Sequence, residues 1–207
     1  HPDKGVLPPA DFIPVAEEST LIISIGDWVL REACRQIKVW EKKGIKIDRV
    51  AINVSSRQFR QKDFVEETSR ILEESGISSN KIEIELTESV VIDDIEDTIK
   101  KMHALKELGV LISLDDFGTG YSSFAYLKKL PLDKLKIDRS FIRDIMTDLN
   151  DAVIVETIIV MVSHLGLNVV AEGVENEDQL TFLTEKGCTV FQGYLFGQPV
   201  TAEKFAE

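Results

Sequence analysis

A recurring set of polar residues in this sequence has the chemistry of a hydrolytic metal centre: Asn53, Glu85, the adjacent pair Asp115 and Asp116, Lys136, Glu172 and Gln192. Each closes a short apolar run, and successive positions lie 20 to 36 residues apart, the length of one strand–helix crossover unit. Adjacent carboxylates repel unless a cation lies between them. With Glu85 and the amide oxygen of Asn53 beside the aspartates, the ligand set is all oxygen, which selects Mg²⁺ or Mn²⁺ over zinc or copper. The alternative is a solvated Asp-Asp turn. Neighbouring residues face opposite sides of a regular strand, so the two aspartates are expected to converge where their strand ends and the Phe117-Gly-Thr-Gly120 turn begins. In Lys134-Leu-Lys136-Ile-Asp138, an inward Lys136 can hold a phosphate or orient a water, whereas an outward one pairs with Asp138 at the surface. Glu172 is placed to activate or hold a water. Glu175 and Glu177 suit the N-terminus of the following helix.

The elements that must position these residues alternate. Strands are expected at 49–53, 81–85, 110–115, 132–137, 168–172 and 189–192. Helices are expected at 21–43, 63–74, 94–108, 122–129, 151–165 and 177–186, with short ones opening at Pro8-Pro9 and at Ala202. Alternation of this kind predicts parallel strands with helical crossovers in one domain. An open doubly wound sheet lacks its fingerprint here, since Gly118-Thr-Gly120 has no third glycine and no phosphate-loop Gly-Lys-Ser/Thr occurs. A closed barrel instead places chemistry at the C-terminal ends of several strands. In the run Lys81-Ile-Glu-Ile-Glu85 the isoleucines share one face and the charges the other, which sends Glu83 and Glu85 into the barrel. A half-exposed antiparallel strand is the alternative, and it suits Glu83 better than Glu85.

The 207 residues carry a formal net charge of −12, with 43% hydrophobic and 29% charged residues, an ordinary globular composition. The acidic balance argues against DNA or other nonspecific nucleic-acid binding, which needs a basic face. No run approaches the ~20 apolar residues of a membrane span, and no basic-then-apolar signal pattern is read in these residues, so direct membrane insertion is not expected. Cys34 and Cys188, both in apolar surroundings, read as buried thiols of a cytoplasmic protein. His1, His103 and His164 have no metal-site spacing. The chain begins at His1 without Met, in what reads as the middle of a loop, so a fragment is expected.

Taken together, Asn53-Val-Ser, Glu85-Leu-Thr-Glu88, Asp115-Asp-Phe-Gly-Thr-Gly-Tyr-Ser-Ser123, Lys136-Ile-Asp138, Ala171-Glu-Gly-Val-Glu175 and Gln192-Gly-Tyr-Leu-Phe196 resemble the EAL domain family over essentially the whole chain. The resemblance implies a (β/α)₈-type, TIM-like barrel with about six of eight strands present, the antiparallel strand and the Glu-Ala-Leu motif lying upstream of His1. It implies a single phosphodiesterase domain over 1–207 that hydrolyses cyclic di-GMP to linear pGpG with two Mg²⁺ or Mn²⁺ ions and a metal-activated water. Carried over, Asn53, Glu85, Asp115 and Asp116 are metal ligands. Lys136 and Glu172 position water and phosphate, Glu172 being a candidate general base. Gln192, with Asp138 and Glu175, binds water or substrate. Glu88 steadies the loop from Phe117 to Ser123, which links the site to a dimer interface. Fusion to regulatory or GGDEF-type domains is expected, any membrane tether being theirs, and a homodimer is expected through 122–130 and the apolar helix 151–165. The 207 residues alone are expected to bind and cleave weakly. The competing readings are a degenerate EAL domain that senses cyclic di-GMP without cleaving it, and another divalent-metal barrel enzyme.

Overall fold

The computed structural model describes residues 2–119 and 127–206, with residues 91–93 described in their backbone only. Residues 122–126 of the helix expected at 122–129, and of the 122–130 dimer segment, lie outside the described residues. Among the described residues six strands follow one another in the sheet in chain order: β1 (Val50–Asn53), β2 (Ile82–Thr87), β3 (Leu111–Phe117), β4 (Lys134–Ile137), β5 (Asn168–Glu172) and β6 (Val190–Gln192). Every pairing is parallel. The helices are α1 (Pro9–Glu18), α2 (Leu21–Lys42), α3 (Ser56–Phe59), α4 (Phe64–Ser75), α5 (Glu88–Asp93), α6 (Ile95–Glu107), α7 (Arg139–Arg143), α8 (Leu149–His164), α9 (Glu177–Glu185) and α10 (Ala202–Phe205).

The sheet curls as a barrel wall does. Trp40 near the end of α2, the helix before β1, donates its indole N–H to the carbonyl of Ala202 at 3.2 Å, and its ring lies 5.3 Å from that of Phe205. Elements flanking the first and last strands therefore meet. The curled six-strand sheet with its helices is an incomplete TIM-like barrel.

The core lies between the convex face of the sheet and the helices. Ile82, Ile84 and Leu86 of β2, Ile112 and Leu114 of β3, and Leu135 and Ile137 of β4 are fully buried there, with Ile37, Met102, Leu105, Val155 and Val162 from the helices. Alternation then turns the intervening residues of β2 to β4 to the concave face. This overturns the antiparallel alternative for Glu83. That residue sits on a central parallel strand, is 2% exposed, and receives the Lys134 ammonium at 2.6 Å.

Three short helices escaped the periodicity reading because four to six residues do not complete two turns: α3, α5 and α7. Each starts within three residues of a strand end. Ser55 caps α3 and Asp138 caps α7 through their side chains. At α9 the cap is Asn176, in a reciprocal box with Gln179, and Glu177 lies in the first turn as expected. Among the described residues no helix is long and apolar enough to cross a membrane, and both cysteines are buried and unpaired.

Candidate metal centre

The strands bring four of the expected residues into direct contact. The Lys136 ammonium of β4 lies 2.9 Å from Glu85 Oε1 on β2, 3.1 Å from Asp115 Oδ1 on β3 and 2.7 Å from Glu172 Oε1 on β5. Lys136 is 5% exposed, so the surface pair with Asp138 is excluded. Burial alone disfavours its charge, but the carboxylates of Glu85 and Glu172 outweigh that and raise the lysine above its ordinary value. Burial also raises Glu85 and Glu172 above the usual carboxylate range, with Lys136 pulling back against it.

The two aspartates converge by a device the sequence did not announce. Both lie within β3, not beyond its end. The β3–β4 register slips between Leu114 and Phe117, so Asp115 and Asp116 together oppose Lys136. Such a bulge inserts one extra residue and re-aims side chains. Asp116 carries the accompanying backbone rotation, with φ of 54°, the single positive value outside glycine among the described residues. One oxygen each from Asp115, Asp116 and Glu172 lie within 4.8 Å of one another. Burial and the Asp115 charge raise the Asp116 carboxyl, which hydrogen-bonds Asp138. Burial works against Asp138 too, but hydrogen bonds from the Ser140 hydroxyl and backbone N–H hold that carboxylate below its usual range.

Asp116, Asp138, Glu172, Glu175 and Gln192 line one cavity of about 590 Å³. Gln192 is paired with Glu172 across β5 and β6. Asn53 is the outlier. It ends edge strand β1 beside Glu85, yet it is exposed and lines a separate hollow of about 1120 Å³. Glu88 is buried at the start of α5 and accepts the Gly118 N–H at 3.0 Å, holding the turn after the aspartates. Sequence reasoning missed Arg139, Thr119 and Tyr194, which line the 590 Å³ cavity. Arg139 directly follows Asp138, and its position beside a strand end was the available signal.

The chemistry of the donor set fits a hard divalent cation: three clustered carboxylates, no thiol and no imidazole. A parallel barrel wall with acidic oxygens gathered at the C-terminal ends of its strands places them where TIM-barrel active sites lie. The EAL domain model matches residues 1–199. The chain is 43% identical over 204 residues to the bifunctional diguanylate cyclase/cyclic di-GMP phosphodiesterase MucR of Pseudomonas aeruginosa, covering 99% of this chain and 30% of that protein. It is 46% identical over 206 residues to the signaling protein YkoW of Bacillus subtilis, covering 100% of this chain and 26% of that one. Among solved structures, one described as PaMucR phosphodiesterase in a c-di-GMP complex superposes with a TM-score of 0.94 at 43% identity, over 99% of this chain and 83% of that one. The chain belongs to the EAL domain family. It spans about a quarter to a third of the length of these curated relatives.

Proposed function

We propose that this chain hydrolyses cyclic di-GMP to linear pGpG at the strand ends of β2 to β6. The observation that carries this is the meeting of Glu85, Asp115 and Glu172 on one buried lysine, beside a cavity walled by Asp116, Asp138, Glu175 and Gln192. The relatives named as cyclic di-GMP phosphodiesterases, and the similar structure holding c-di-GMP, support the substrate.

Glu85, Asp115 and Asp116 would hold two Mg²⁺ or Mn²⁺ ions, with Asn53 joining them from the end of β1, where it lies in register with Glu85. Bound there, the cations would neutralise the carboxylates, polarise the phosphodiester and make a water acidic at neutral pH. The protein's own groups do the rest. Lys136 offers its ammonium to a phosphate oxygen as negative charge builds on it. Glu172, close to Lys136 and facing the cavity, accepts a proton from the attacking water. The water oxygen bonds to phosphorus, the bond from phosphorus to the 3′ oxygen breaks, and the leaving oxygen takes a proton from solvent. Asp138, Glu175 and Gln192 orient water and substrate, Arg139 balances phosphate charge, and Glu88 fixes the Gly118 turn.

The same reading takes residues 1–207 as one phosphodiesterase domain acting in the cytoplasm, fused to regulatory or GGDEF-type domains and without DNA as a partner. It also makes the protein a homodimer. The name of MucR supports the fusion.

The test is pGpG formation in Mn²⁺ by the chain and by Asp115→Asn. The variant is expected to keep its circular-dichroism spectrum and lose turnover by at least about a hundredfold, since it removes charge at the reacting centre. Near-normal turnover of the variant overturns the site. A wild-type chain that binds cyclic di-GMP in Mn²⁺ without releasing pGpG makes it a receptor instead.

A further inference from the structure

Beneath the carboxylates that meet Lys136 lies a second charged pair with the same geometry. Lys134 and Lys136 alternate on β4, Glu83 and Glu85 alternate on β2, and each lysine takes the glutamate on the same diagonal: Lys134 with Glu83 at 2.6 Å, Lys136 with Glu85 at 2.9 Å. Arg49 approaches Glu83 from the far side at 3.6 Å. Backbone register, however, puts Lys134 in the row of Glu85, because Ser113 of β3 pairs with both. Ser113 is small and fully buried, and its hydroxyl has no hydrogen-bond partner. No bulky side chain at that position bars Lys134 from rising toward Glu85. The contact Lys134 does make is with the Glu83 carboxylate.

We propose that Glu83 is a positioning residue of the metal centre, holding Lys134 on the lower diagonal so that Glu85 and Asp115 answer to one ammonium, Lys136, and remain available to a divalent cation. The proposal rests on the metal reading above. Its physical content is electrostatic. Neutralising Glu83 leaves the Lys134 and Arg49 cations without their shared anion, about 7 Å along the strand from Glu85. Their unscreened charge opposes entry of a dication, and Lys134 gains Ser113 and then Glu85 as the nearest acceptors. Removing Lys134 as well restores the balance.

The experiment is calorimetric titration of Mn²⁺ into the full chain, comparing wild type, Glu83→Gln, Lys134→Met and the double variant, each checked for folding by circular dichroism. Glu83→Gln is expected to bind Mn²⁺ about tenfold more weakly, as one uncompensated charge at this range in a partly screened interior requires. The double variant is expected to return to within about twofold of wild type, the coupling expected of neighbours. Lys134→Met alone is expected to bind no more weakly than wild type, and it serves as the test should Glu83→Gln not fold. A purely structural pair predicts lower melting temperatures without the affinity loss and recovery. A folded Glu83→Gln with wild-type affinity, or a Lys134→Met weaker than wild type, overturns the proposal. A wild-type chain that binds no Mn²⁺ overturns the metal reading and this one with it.

Discussion

Lys136 decides how the acidic site behaves when no divalent cation is supplied. One ammonium faces three carboxylates, so removing it leaves buried negative charge uncompensated. Lys136→Met is expected to lower stability by about 3–5 kcal/mol in chelator, the usual cost of breaking a buried pair, and to regain part of it in Mn²⁺. Urea melts in both buffers measure this, and equal losses in the two would refute the shared-charge account. The shifted carboxyls set a pH dependence. Glu85 and Glu172 have folded values raised above the ordinary 4.5. Their protonated forms thus favour the folded state, and that contribution fades as pH rises through the raised values. Asp138 is lowered and acts oppositely, but only below its ordinary 3.8. In chelator, stability is therefore expected to fall as pH climbs above 4.5, and Mn²⁺ should flatten the slope. A stability that rises through that window contradicts it.

The hardest-working element is the bulged end of β3, and it was the least legible. Alternating strands and helices and the apolar face of β2 were readable, because repeated spacing records burial. The bulge leaves no such record, since two aspartates in a row look alike in a turn and in a strand. The contact of Glu83 with Lys134 was hidden too, because alternation sends Glu83 inward without saying which strand supplies the cation that meets it. At the site, Lys136, Glu85, Asp115 and Glu172 were readable as polar residues closing apolar runs, while the place of Asp115 inside β3 and the separate placement of Asn53 were not. Gly118 completes the bulged turn with φ of 102°, and a Cβ there would sit 2.7 Å from the Phe141 ring. Gly118→Ala is expected to cost about 1–3 kcal/mol, the range for a residue forced into a poorly populated conformation. It should also reduce turnover more than Mn²⁺ affinity, because the carboxylates precede it. Turnover and thermal stability both like wild type would remove the turn from the site.

At the scale of the whole molecule, α8 shows two apolar faces where one suffices. Val155, Ile158, Ile159 and Val162 are buried, while Val153 and Val160 stay 62% and 49% exposed, next to Leu149 at 84%. A second copy covering that face is the expected occupant. Val153→Asp should leave the melting temperature unchanged and shift sedimentation from dimer to monomer at micromolar concentration. A wild-type chain that sediments as a monomer sinks the expectation. The order of charges around the sheet has one more consequence, for synthesis on the ribosome. Glu85 and Asp115 leave the exit tunnel first, Lys136 follows, and Glu172 comes last. The nascent chain therefore acquires its cation before its third anion, and at no stage of growth must the sheet gather all three carboxylates with nothing to hold them.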